Sequence, residues 1–381
     1  MTPEPRHPPT VPSYGATTLA DLSSSMLASL DPQAPPSQNV LGLTPARRAC
    51  LLIVDGLGWE LLRDHPAVAP FLSELARNSK PITAGFPSTT VTSLGSICTG
   101  RPPGQHGILG YQVIIPGENR LLNGLRWDKR IDPLAWQPCP TIYERATAAG
   151  LGAYRIAASA LQRTGFSVAA MRGADYRPAD SLGALVAQAA IALADSDGGL
   201  VTVYHAELDG TGHSFGSASD AWLYHLAHVD KLAEQLAGSL PGGAVLHVTG
   251  DHGMVDVPVE EKIDVDTSPA LQEGVALLGG EPRARHVYAK PGAAADVLAA
   301  WREVLGGRAW VVSRDEAIAD GWFGPVNPAF RERIGDVVAA PTDSWAIVTN
   351  QAEPLESALI GMHGSLTSAD QLVPLLTFSV G

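Results

Sequence analysis

Three short apolar runs in this chain each lead into an aspartate, and they constrain the fold more than any other feature. Cys50-Leu51-Leu52-Ile53-Val54 ends on Asp55, Leu200-Val201-Thr202-Val203-Tyr204 leads to Asp209, and Val245-Leu246-His247-Val248-Thr249-Gly250 ends on Asp251. A strand buried on both faces reads as a short apolar run, the signature of a parallel sheet covered by helices. Ligands of open α/β sheets bind at the carboxyl ends of such strands. Three carboxylates delivered to one sheet edge repel each other unless positive charge sits among them. His213 follows Asp209 by four residues and His252 follows Asp251 directly, so divalent metal is the economical neutraliser.

The pattern around these runs alternates strand and helix from Ala49 onward. A strand ends at Val54 and a helix is expected over about Trp59–Asn78, with Leu61, Leu62, Phe71, Leu72 and Leu75 as its apolar stripe. A second helix opens in Pro87-Ser88-Thr89-Thr90 and closes at Gly100. Helices near Thr141–Ala149, Ser181–Ala194 and Ser219–Ser239 alternate with strands at Tyr154–Ala158, Val201–Tyr204 and Ala244–Val248. This predicts an α/β fold: a doubly wound, mostly parallel sheet with helices on both faces. Residues 1–45 read as an irregular arm with one short helix around Leu19–Leu30. Residues 46–256 and 345–381 read as the metal-binding core. Between them, 257–344 reads as a small inserted α+β module, ending in a hairpin of Gly335–Ala340 with Ala346–Thr349. The Pro- and Gly-rich connection 101–140 is too long to be a plain loop and is expected to serve function.

The net charge of −13 argues against binding nucleic-acid polymers or anionic membranes, which require a basic face. It leaves an anionic small molecule open, because bound metal inverts the local field. No apolar stretch reaches the roughly 20 residues of a membrane helix, and the first residues lack the basic start and apolar stretch of a secretory signal. Cys50, Cys98 and Cys139 are too few and scattered for a disulfide framework and lack Cys-x-x-Cys spacing. The expectation is a cytoplasmic protein.

Asp209-Gly210-Thr211-Gly212-His213 offers a carboxylate and an imidazole, with glycines suited to a tight turn after a strand. Thr249-Gly250-Asp251-His252-Gly253 places two ligand types side by side at a strand terminus, and Gly361-Met362-His363-Gly364 adds a late imidazole. Asp55, Asp209, His213, Asp251, His252 and His363 together supply the six oxygen and nitrogen donors that two open tetrahedral zinc sites need. Phe86-Pro87-Ser88-Thr89-Thr90-Val91-Thr92-Ser93 brings five hydroxyls to a helix start, where free N–H groups favour an anion, although Ser and Thr are also ordinary helix caps. Chemistry alone does not rank them. His225 and His228 fit a helix face, and His247 a satisfied core position, better than a metal site.

The order of these donors, with Pro-Ser-Thr-Thr and Thr-Gly-Arg-Pro-Pro-Gly-Gln-His-Gly-Ile inside Gly85–Gly110, resembles the type I phosphodiesterase/nucleotide pyrophosphatase family of the alkaline phosphatase superfamily. The resemblance spans about Ala49–Ser365. It implies two Zn²⁺, with other divalent ions such as Mn²⁺ able to substitute. One would be held by Asp209, His213 and His363, the other by Asp55, Asp251 and His252. It also implies Thr90 as the nucleophile. Two positions depart from the family pattern. Val91 stands where nucleotide-cleaving relatives carry an aromatic residue, which weakens the case for base stacking. Tyr111 stands where they carry an asparagine, which leaves a phosphate oxygen to a phenol, a backbone N–H or another group. Arg101, near the nucleophile in sequence, is a further substrate contact to consider.

The implied reaction is a two-step transfer through a phospho-threonine ester. Four positive charges from two zinc ions balance three aspartates and one alkoxide, and a neutral site suits a monoanionic diester. A small phosphodiester or phosphoanhydride is therefore the expected substrate. The alternatives on the same core are a phosphonoacetate-type phosphonate hydrolase or a phosphomonoesterase. A zinc-binding protein without turnover is a third.

Overall fold

The computed structural model describes residues 7–195 and 198–381, so the first six positions of the 1–45 arm lie outside the described residues. Strands β1 (Arg48–Val54), β2 (Gly152–Ala157), β3 (Asp175–Pro178), β4 (Gly199–His205) and β5 (Ala244–Gly250) pair in parallel. Strands β6 (Val275–Glu281), β7 (Ala284–Ala289), β8 (Ala309–Ser313) and β9 (Val337–Pro341) form a separate antiparallel sheet in the order β6-β7-β9-β8. The chain then returns as β10 (Leu375–Ser379), antiparallel to β5. The central sheet reads β10-β5-β1-β4-β2-β3.

Side chains alternate across a strand, and β1 shows what that does here. Ala49, Leu51 and Ile53 enter the apolar core on one face of the sheet, while Cys50, Leu52 and Val54 enter the core on the other. Each fully buried aliphatic side chain contributes roughly 1.5–3 kcal/mol, so a polar residue on either register would be costly. Helices α1 (Leu19–Leu30) and α2 (Thr90–Thr99) belong to the first core, where Leu19, Leu22 and Met26 are fully buried. Helices α3 (Leu182–Ala194), α4 (Glu207–Phe215) and α5 (Asp220–Ser239) follow, with Trp222, Leu226 and Val229 of α5 in the second core.

Several local expectations are revised. The stretch Trp59–Asn78 is two helices, Trp59–Asp64 and Pro70–Ala76, because Pro66 and Pro70 cannot continue an α-helix. Asp209-Gly210-Thr211-Gly212-His213 is not a turn: it lies within α4, where spacing i, i+4 puts both donors on one face. Ala346–Val348 pairs in parallel with Lys262–Asp264, so it forms no hairpin with the preceding strand. Within 101–140 there are short helices at Pro103–His106 and Pro133–Trp136 and a hairpin of Gln112–Ile114 with Leu121–Asn123. Strands β3 and β10 were not anticipated; the first is a largely polar edge strand, Asp175-Tyr176-Arg177-Pro178.

The β6–β7 hairpin is fastened to the core at its tip. Arg283, fully buried, donates to both carboxylate oxygens of the equally buried Asp370, from Nε at 3.1 Å and Nη2 at 2.7 Å. Its remaining donors go to the carbonyls of Trp345 and Asp343. The hairpin tip thereby brings Glu281 Oε2 to 3.7 Å from His363 Nδ1.

Three buried histidines are locked in the neutral form. The ring of His106 accepts the Ile108 N–H, and that of His286 accepts the Gly335 N–H; His247 bonds the Thr377 hydroxyl. Burial pushes His247 and His286 down to about 4 and His106 down to about 3. The unfolded chain therefore binds protons that the folded chain does not, and stability is full above about pH 6.5 and falls as the pH drops towards 4. Each histidine is expected to cost roughly 2 kcal/mol by pH 5. Urea unfolding of chelator-treated protein at pH 7 and pH 5 measures this; equal stabilities would refute it.

Candidate metal and active site

The strand register sets the first donor group. Val54 of β1 lies level with Gly250 of β5 and with His205 of β4. The next residues, Asp55 and Asp251, consequently emerge side by side, and the Gly56 N–H donates to Asp251 Oδ1 at 3.0 Å. Gly56 has φ +74, and a Cβ there would meet Asp209 Cβ at 3.0 Å. The conformation and the close approach both call for glycine, and they let α4 bring Asp209 up to the first group. Gly253 serves His252 similarly, since a Cβ there would lie 1.8 Å from the Ala369 carbonyl.

Two groups of donors result: Asp55, Asp251 and His252, all buried, and Asp209, His213 and His363. Within each group the ligand atoms lie within 4.8 Å of one another. The six predicted donors thus meet at one end of the sheet. His252 and His363 stack with ring centroids 3.6 Å apart, which joins the two groups.

The chemistry of the donors fits a metal. Each histidine uses Nδ1 towards a backbone carbonyl: His213 to Gly361 at 2.7 Å, His252 to Gly253 at 2.9 Å and His363 to Ser88 at 3.0 Å. A carbonyl only accepts, so Nδ1 carries the proton and Nε2 of the neutral ring presents a lone pair. Those lone pairs face carboxylates: His252 Nε2 lies 3.2 Å from Asp55 Oδ1, and His213 Nε2 lies 3.1 Å from Asp209 Oδ2. Two electron-pair donors at that distance repel unless a proton or a cation lies between them. Asp209 Oδ1 and Asp251 Oδ2 are buried without a hydrogen-bond partner. Burial lifts the Asp251 carboxyl well above the usual carboxylate range, and the Asp55 charge lifts it further. Burial alone would lower His252, but Asp251 and Asp55 outweigh it and hold the ring well above the usual imidazole value. The cluster is short of positive charge, and imidazole nitrogen with carboxylate oxygen is a donor set for zinc.

Thr90 is the first residue of α2, and Thr89 is its N-cap. Its Oγ1 lies 3.5 Å from Asp55 Oδ1 and 3.3 Å from His252 Nε2. It also lines a cavity of about 210 Å³ shared with Asp209, His213 and His363. The helix N-terminus points free N–H groups at this space, an arrangement that favours an anion. Of the other hydroxyls of the segment, Thr89 also lines the cavity and bonds Glu281, Ser88 Oγ donates to the Ser365 carbonyl, and Thr92 and Ser93 are fully buried.

Tyr111 lines the same cavity and its hydroxyl donates to Glu356 at 3.2 Å. Val91 is fully buried under Gly124, where a Cβ would meet it at 2.9 Å, so it faces away from the cavity. Arg101 is exposed, near Gln105, and is not in the cavity lining. Three further residues carry no sequence signal. Tyr204 donates its hydroxyl to Asp55 Oδ2; the strand run contained it, but nothing in the run marked which face it would take. Glu281 and Glu356 reach the cavity through tertiary packing of the module and of the segment before His363.

The type I phosphodiesterase/nucleotide pyrophosphatase model matches residues 49–366, most of the chain. The chain belongs to the type I phosphodiesterase/nucleotide pyrophosphatase family. It is accordingly a hydrolase of the phosphodiesterase/nucleotide pyrophosphatase type, and its fold is alkaline phosphatase-like. Solved structures of human and murine ectonucleotide pyrophosphatase/phosphodiesterase 5 share that fold. The human protein is 20% identical, with TM-score 0.68 over 87% of this chain and 88% of its own. An inactive variant of the murine protein in complex with AMP is 20% identical, with TM-score 0.68 over 86% of this chain and 87% of its own. Among curated protein sequences there is no significant match.

Proposed function

We propose that this phosphodiesterase-family hydrolase cleaves a small monoanionic phosphodiester or phosphoanhydride, with Thr90 as nucleophile. Two divalent cations, zinc by the character of the donors, would be held by Asp55, Asp251 and His252 and by Asp209, His213 and His363. The observation that carries the reading is the Thr90 hydroxyl, which touches one donor group and opens onto the cavity lined by the other. When bound, such cations supply Lewis acidity, lowering the pKa of a hydroxyl and offsetting charge on phosphoryl oxygens.

The N–H groups at the start of α2 receive the phosphoryl oxygens, and Thr90 Oγ1 releases its proton to solvent and attacks phosphorus in line. The Thr90 O–P bond forms as the bond to the leaving oxygen breaks, and that oxygen takes a proton from solvent. Water then cleaves the phospho-threonine ester and restores the hydroxyl. Tyr111, anchored on Glu356, offers its phenol beside the phosphoryl position, and with Leu125 and Leu359 it gives the leaving group an apolar wall.

The charge of the lining supports the diester. Glu356 faces the cavity, Glu281 beside it is pushed up to about 8 by burial, and the lining holds neither lysine nor arginine among the described residues. Arg285, a buried guanidinium outside the lining, pairs with Glu353 at 2.8 Å. A dianionic monoester, or the extra carboxylate of phosphonoacetate, would carry a further negative charge that no lining lysine or arginine offsets beyond the two proposed cations. The AMP complex of the murine relative supports a nucleotide-sized ligand, with base contacts falling to Tyr111 and Leu125 in place of the buried Val91.

The test compares a nitrophenyl nucleotide diester, a nitrophenyl monoester and phosphonoacetate, with zinc and after chelation. The diester is expected to exceed the monoester in kcat/KM by on the order of 100-fold or more, equivalent to about 2.7 kcal/mol of transition-state preference. Chelation is expected to abolish turnover. Faster turnover of the monoester, or of phosphonoacetate, would overturn the substrate assignment.

A further inference from the structure

A third group of metal-binding side chains lies outside this site. His205 ends β4, and because neighbours on a strand point to opposite faces, it turns away from Tyr204 and Asp55 towards α5. There its Nε2 lies 2.9 Å from His225 Nε2, with the two rings nearly parallel. Its Nδ1 lies 2.9 Å from Oε2 of Glu207, the first residue of α4. One donor atom from each of the three residues falls within 4.8 Å of the others.

We propose that His205 and His225, with Glu207 orienting the first, form a further divalent-metal site, suited to a late first-row ion that prefers right-angled nitrogen ligands, such as Ni²⁺ or Cu²⁺. The carboxylate accepts the Nδ1 proton of His205 and so fixes its tautomer, leaving the Nε2 lone pair free. That is the same carboxylate–histidine device that commonly supports a metal-binding imidazole. The geometry then selects the ion. Nitrogens 2.9 Å apart, each about 2.0–2.1 Å from one ion, subtend about 90°. A tetrahedral centre would separate them to about 3.3 Å, whereas square-planar, tetragonal and octahedral centres take the observed spacing.

The Glu207 side chain is 63% exposed, so remaining coordination positions open to water and to incoming metal. His228, one turn along α5 with its ring 6.1 Å from that of His225, stands outside the donor set. An ion here would tie the end of β4 to α5, and the Glu207–His205 hydrogen bond carries the link to the first turn of α4. Since α4 carries Asp209 and His213, it would stiffen the base of the second donor group without touching substrate.

The experiment loads the protein with zinc, titrates Ni²⁺ by calorimetry and counts both metals after gel filtration. Wild type is expected to take up one Ni²⁺ while retaining its zinc, and to unfold at a higher temperature with nickel present. His225→Gln should bind that nickel at least about tenfold more weakly, lose the thermal shift, and turn over the nitrophenyl diester at the wild-type rate. Its unfolding midpoint in chelator should match wild type, since the position is partly exposed. A His228→Gln variant should behave as wild type. The absence of an added nickel in wild type, nickel entering only by displacing zinc, or equal nickel binding in His225→Gln would overturn the site. Any of these would reduce the trio to a Glu207–His205–His225 hydrogen-bond chain. Failure of the catalytic reading would appear instead as lost zinc-dependent turnover, with the wild-type and His225→Gln difference in nickel unchanged.

Discussion

Thr90→Ala is expected to lower kcat for the nitrophenyl diester by on the order of 10⁴-fold, while leaving zinc content and stability unchanged. Loss of a nucleophile removes the two-step route altogether, and such losses in enzymes with covalent intermediates are of this size. The structural cost should be small for a local reason. Thr89, not Thr90, is the N-cap of α2, and alanine is the most favourable residue inside a helix. The Thr90 Oγ1 contacts at 3.5 and 3.3 Å are long for structural hydrogen bonds. Urea unfolding should therefore agree with wild type within about 0.5 kcal/mol. Thr90→Ser keeps the hydroxyl and should retain activity to within roughly 100-fold, because only the methyl that restricts χ1 is lost. Activity in Thr90→Ala within tenfold of wild type would remove this residue from the chemistry.

The sheet was legible in the sequence because burial on both faces leaves a composition that survives any detail of packing. Cys50–Val54, Val201–Tyr204 and Ala244–Val248 carry no polar residue that a solvent-facing strand would need, apart from Thr202 and His247, which find hydrogen-bond partners in Tyr143 and Thr377. The donors were legible because metal chemistry restricts residue type and strand ends restrict position. What composition does not encode is register and long-range approach. Nothing in the segment around Asp209 distinguishes a glycine-rich turn from the helix it forms, until α4 is seen to pack its donors against Gly56. Glu281 is a hairpin-tip residue whose importance comes from Arg283 fastening that tip to Asp370, some 87 positions along the chain. Edge strands such as β3 keep one margin in water and so lose the apolar signature on which the reading depends.

Asp251→Asn isolates the metal contribution from folding. Asp251 is fully buried; its Oδ1 accepts from the Gly56 and His252 N–H groups, and its Oδ2 has no hydrogen-bond partner. Asparagine keeps the volume and the Oδ1 contacts but turns Oδ2 into an N–H₂ group, which offers protons where a cation needs a lone pair. The variant is expected to fold, to retain one zinc at Asp209, His213 and His363, and to lose the other. Affinity should fall by more than the roughly 10–100-fold that loss of an outer partner costs. Turnover should fall with it, because Thr90 Oγ1 contacts only the group that has been emptied. In chelator the ranking should reverse. Wild type then holds Asp55 and Asp251 together in a buried space, and their repulsion opposes folding, whereas asparagine removes one of the two charges. Asp251→Asn is accordingly expected to be at least as stable as wild type without metal and less stable with it. Metal counts by mass spectrometry and thermal unfolding with and without zinc read both halves; two zinc ions per chain in the variant would refute the ligand assignment outright.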